Sequence, residues 1–158
     1  MARWKKPSRR QTDLMALVEL LLPAVTAHVR TARLVVVAAA RRAGLDDDFV
    51  ADLRLALGEA CSRAVSLHMR HAPARQIVVT VQDDAAGLTV TVRDVGPAPA
   101  DVQGNAAGLF DADDDDPVGN PDVALAVVAG LVDDLVVTPS EAGTSVVMRW
   151  PLPVRLLA

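Results

Sequence analysis

Two side chains within residues 52–68 could do chemistry, and their spacing puts them together. Glu59 and Arg63 lie four residues apart, so on a helix they share a face. A carboxylate so placed can act as a general base toward a nucleophile. A guanidinium offers five donors and no acceptor, which suits it to hold an anion. The same spacing, acid first, also suits an exposed ion pair worth a few tenths of a kcal/mol. Sequence alone leaves both readings open. Asp94 ends an alternating run before Gly96 and reads as a strand-end turn residue. His68 and His71 lie three apart with no third ligand to place beside them, and His28 stands alone. All three are expected on helix surfaces. Asp111 and the run 113–116 lack the ligand spacing of a calcium loop, so a solvated segment is expected and no metal site. Residue order argues for no Ser–His–Asp or Cys–His arrangement, and Cys61 is expected to be a small core residue.

These residues need elements to position them. Leu53, Ala56, Leu57, Ala60, Ala64 and Leu67 recur at i, i+3, i+4, so residues 46–71 read as one amphipathic helix. Asp46, Asp47 and Asp48 mark its start, where carboxylates suit free N–H groups and the helix dipole, and Pro73 ends it. Upstream, residues 14–22 are apolar and fit a strand or a short helix, closed by Pro23. Thr26 is then the expected N-cap of a helix over 29–43, with Gly44 as its stop. Downstream the period shortens towards two. Residues 76–82 and 88–93 are β-rich runs about an Asp/Gly turn at 83–87, which predicts a hairpin. Residues 95–120 carry Gly, Pro and Asp without a period, and loops above about 12–15 residues are usually functional or disordered. Residues 123–132 read as a buried helix, and 135–138 with 144–150 as a second hairpin about a turn at 140–143. Hairpins with helices between them predict an α+β two-layer sandwich, a mainly antiparallel sheet covered on one face by helices.

The totals narrow the class. A chain of 158 residues suits one domain, expected at 14–152, after a basic tail at 1–13 and before a tail at 153–158. With 51 % apolar residues but 3 % aromatic, the core must be built of Val, Leu and Ala. A net charge of −4 argues against direct nucleic-acid binding, which usually shows a basic face. One cysteine permits no internal disulfide, and apolar runs such as 34–40 fall short of the ~18 residues a membrane span needs. A cytoplasmic protein without membrane contact is the expectation.

The motifs in this order resemble the ATP-binding fold shared by gyrase, the large heat-shock chaperones, histidine kinases and MutL. The resemblance is nearest to the bacterial anti-sigma-factor serine kinases and spans residues 22–152. PAVTAHVRTAR resembles the start of that family's first helix. LRLALGEACSRAV resembles the helix with a general-base Glu and, four residues on, a Mg²⁺-holding Asn. VTVRDVGPA resembles the strand and Asp-x-Gly-x-Gly turn whose Asp reads the adenine amino group. VALAVVAGLVDDLVV followed by EAGTSVVMRW resembles the closing helix and hairpin. The resemblance implies Glu59 as the base, Asp94 on adenine, Gly96 letting the base approach the backbone, and Gly143 and Thr144 beside it. It implies residues 97–122 as a lid over the phosphates of bound ATP or ADP.

Several positions depart from that pattern. Arg63 stands where the Mg²⁺-binding Asn belongs, and arginine cannot ligate a cation. It would instead repel Mg²⁺, or replace its charge against phosphates. Ala98 replaces the last glycine of the turn and follows the stiff Pro97. Asp122 and Ala124 replace the lid's Gly-x-Gly, and an Asp at a helix start competes with phosphate for the same N–H donors. What the resemblance implies is therefore an anti-sigma regulatory factor that switches between a sigma factor and an anti-sigma antagonist, pairs as a homodimer, and has weakened or lost nucleotide chemistry. The alternatives are an active ATP-dependent serine-protein kinase acting on the antagonist, and a scaffold domain without a ligand.

Overall fold

The computed structural model describes residues 16–96 and 121–151. The basic tail 1–13, the segment 97–120 with Ala98, Asp111 and the aspartate run, and the tail 153–158 lie outside the described residues.

Alternation builds the sheet. In β1 (Ala16–Pro23), Val18, Leu20 and Leu22 pack towards the core while Leu17, Glu19 and Leu21 face out. The stretch that fitted either a strand or a helix is thus a strand. β2 (Gln76–Asp83) and β3 (Gly87–Asp94) form the expected hairpin, with Ile77, Val79, Val81, Leu88, Val90 and Val92 buried on the inner face. β4 (Asp134–Ser140) and β5 (Gly143–Pro151) form the second hairpin. The strand order is β1-β2-β3-β5-β4, with every neighbouring pair antiparallel. Pairing of β3 with β5 sets Asp94 opposite Thr144, so the end of one hairpin meets the start of the other.

Helices cover the inner face. α1 (Thr26–Ala43) ends at Gly44, whose φ of 97° is the left-handed cap that a side chain would resist. Its start corrects the sequence expectation. The N-cap is Val25, extended at φ −126° and ψ 132°, without a side-chain cap, and Thr26 is already helical. The stiff Pro23 ends the strand two residues earlier, which leaves room for only a short link before the helix.

α2 (Asp47–His71) is capped as expected: the Asp46 carboxylate accepts the Phe49 N–H at 3.1 Å. Its stripe of Leu53, Ala56, Leu57, Ala60 and Ala64 is at most 1 % exposed, so this helix is the floor of the core. α3 (Pro121–Ala129) packs on α2, with Leu125 and Val128 fully buried, and ends before the expected residue 132 at a turn through Gly130. The chain is an α+β sandwich with helices on one face of an antiparallel sheet. Among the described residues no helix is long and apolar enough to cross a membrane.

Candidate functional site

One end of α2 carries Arg63 and His68 under the junction of β3 and β5. Both lie on the flank of a helix packed against the sheet, so neither side chain can reach water easily. Arg63 Nη1 donates to Asp94 Oδ2 at 2.5 Å, and both side chains are 1 % exposed. The i,i+4 pair with Glu59 weighed from the sequence does not form. Position 63 turns inward, towards the end of β3, while Glu59 is half-buried and has no hydrogen-bond or ion-pair partner among the described residues. The other Asp94 oxygen, Oδ1, accepts the Gly96 N–H at 2.8 Å. Both carboxylate oxygens are thus engaged within the chain. Burial raises the Asp94 pKa above the usual carboxylate range, an effect that the neighbouring Arg63 charge and the Gly96 N–H partly offset. Arg63 Nε is buried without a partner among the described residues.

Two glycines set the shape of this junction. At Gly143, φ is 135° and a Cβ would overlap the Asp94 carbonyl oxygen, so no side chain fits where β5 passes β3. At Gly96 a Cβ would lie 2.6 Å from Leu67 Cδ1, because α2 already fills the space above the turn. Thr144, buried opposite Asp94, donates from Oγ1 to the Gly96 carbonyl at 3.4 Å. The structure therefore brings Arg63, Asp94, Gly96, Gly143 and Thr144 together. Asp122 and Ala124 lie in the first turn of α3, and Ala124 is half-buried.

His68 is the residue that sequence reasoning missed. Expected on a helix surface, it is fully buried. Its Nδ1 lies 2.9 Å from the Arg75 carbonyl oxygen, and the Val95 N–H donates to its Nε2 at 3.1 Å. A carbonyl can only accept and an amide N–H can only donate, so Nδ1 carries the hydrogen and Nε2 is bare. The signal was in the sequence: position 68 lies four residues after Ala64 and seven after Cys61, on the buried flank. His71 is exposed and His28 partly so. Cys61 is buried as expected, and burial pushes its thiol up to about 12, with Arg33 opposing.

The donor set does not suit a divalent cation at position 63, since Arg63 supplies charge and hydrogens but no lone pair. Among the described residues no group of three His, Cys, Asp or Glu side chains is gathered as a metal site. Compared with known proteins, residues 22–150 match a family described as the histidine kinase-like ATPase domain. No curated protein matches the chain. Among solved structures, the RsbU and RsbW domains of Rv1364c from Mycobacterium tuberculosis superpose with a TM-score of 0.64 at 18 % identity. The match covers 90 % of this chain and 35 % of that one. At this identity the likeness shows the fold.

Proposed function

The chain belongs to the histidine kinase-like ATPase domain family, and we propose that it is a partner-switching regulator whose nucleotide site is held closed from within. The partners in this reading are a sigma factor and an anti-sigma antagonist, as the motif resemblance implies, and the protein pairs as a homodimer. One observation carries the closed site: the buried Arg63–Asp94 pair. If Asp94 is the adenine acceptor, its two oxygens already hold a guanidinium and a backbone N–H. An adenine amino group must displace Arg63 or share its carboxylate. Displacement would leave a buried cation unpaired, which costs several kcal/mol. Mg²⁺ gains no ligand at position 63 and meets a positive charge there. Binding of ATP or ADP is then weak and indifferent to Mg²⁺, and regulation passes through protein contacts.

A second reading has one observation in its favour. Glu59 is half-buried and unpartnered among the described residues, which is how a retained general base would stand. In that reading the chain is a serine-protein kinase that transfers phosphate to the antagonist. The two separate in an assay with labelled ATP, Mg²⁺ and a cognate antagonist. The closed-site reading expects no phosphorylation above background, with stable complexes still formed. Robust Mg²⁺-dependent transfer that is lost in Glu59→Ala would establish the kinase and overturn it.

A further inference from the structure

His68 links three parts of the molecule through one ring. It stands on α2, donates from Nδ1 to the Arg75 carbonyl ahead of β2, and accepts at Nε2 from the Val95 N–H just after β3. Val95 and Gly96 offer consecutive amides, one held by His68 and the next by Asp94. The two amides of the Asp94–Gly96 turn are therefore held by two side chains, of which the imidazole is the one that changes from acceptor to donor on gaining a proton. A ring carrying hydrogens on both nitrogens would oppose N–H to N–H at Val95 and lose that bond.

The charges around the ring sharpen the effect. From β3 it faces Asp94. On its own helix, Arg63 holds that same carboxylate. From the turn before β2 it meets the Arg75 carbonyl. Residues 123–129 of α3 and residues 143–148 of β5 carry no charged side chain. A cationic His68 would be a second buried cation beside a single carboxylate, in competition with Arg63.

We propose that His68 is a proton-operated latch on the Asp94–Gly96 turn, closed while Nε2 is bare and released when it takes up a proton. This deepens the reading of a site closed by Arg63, and it rests on that reading for its consequence: proton uptake loosens the contact that keeps the site shut.

The test is amide hydrogen exchange of the whole chain, followed by NMR over a pH series from about pH 8 down to about pH 5. Protection is corrected for intrinsic exchange. Protection of the Val95 amide should fall by about tenfold or more on acidification, as for the loss of one hydrogen bond. In His68→Gln, which keeps a donor and an acceptor without gaining a proton in this range, the fall should vanish. A fall that persists in His68→Gln would assign the acid response to Asp94 and overturn the proposal, as would constant protection in the wild type. Should the variant fail to fold, ring ¹⁵N shifts of the wild-type protein decide. A ring protonated on Nδ1 alone at about pH 8, gaining its Nε2 proton in step with loss of Val95 protection, supports the latch. A ring protonated on Nε2 at the higher pH sinks it. No nucleotide or partner enters this measurement, so the latch can fail while the closed-site reading stands, and the reverse.

Discussion

Removing either member of the Arg63–Asp94 pair leaves the other charge buried without its partner. Asp94→Ala or Arg63→Ala alone should therefore lower stability by about 3–5 kcal/mol in denaturant unfolding. Replacing both together with apolar residues of similar size should cost much less, because no orphaned charge remains. Equal losses for the single and double variants would show that packing, not charge, dominates at this junction. Cys61 gives a second expectation at this scale. With its thiol pushed up to about 12 against a usual 9.0, the folded chain keeps a proton that the unfolded chain loses. This contribution is full below about pH 9 and declines as pH rises towards 12. At about pH 8, disulfide reagents should modify Cys61 no faster than the protein opens. Immediate modification of the folded protein would contradict its burial.

At the scale of elements, α2 does the most positioning, and its stripe predicts its sensitivity. Leu57→Ala should destabilise by about 2–5 kcal/mol, since Leu57 is fully buried against the sheet. Asp46→Ala should cost roughly 1 kcal/mol through the lost cap. Both are read from unfolding midpoints at constant slope. Much of this element was legible in advance. The period of Leu53, Ala56, Leu57, Ala60 and Ala64 located the buried face, and Asp46 located the start. The two hairpins were equally plain, because alternation and Asp/Gly turns are local signals. Residues 14–22 were ambiguous because a short apolar run fits a strand or a buried helix. What resolved it was pairing with β2, a contact about sixty residues away that no local pattern encodes.

The site was less legible than the fold, and for a related physical reason. Arg63 sits seven residues after Ala56 and four before Leu67, so its inward direction could be read. Its counter-charge could not, because Asp94 comes from another element. Glu59 was the nearer partner along the chain, and long-range packing overrode it. At the scale of the whole molecule the sheet is covered on its inner face, while Leu17 and Leu21 stand 66 % and 55 % exposed on the outer side of β1. The family match over residues 22–150 agrees with this layering.

The most direct measurement is a calorimetric titration of the wild-type protein and Arg63→Asn with ATP, each with and without Mg²⁺. Asn restores an acceptor at position 63 and releases Asp94 from the guanidinium. A closed site predicts weak binding by the wild type that Mg²⁺ does not strengthen, and a tighter, Mg²⁺-dependent isotherm for Arg63→Asn. Tight, Mg²⁺-strengthened binding by the wild type, lost in Arg63→Asn, would contradict it.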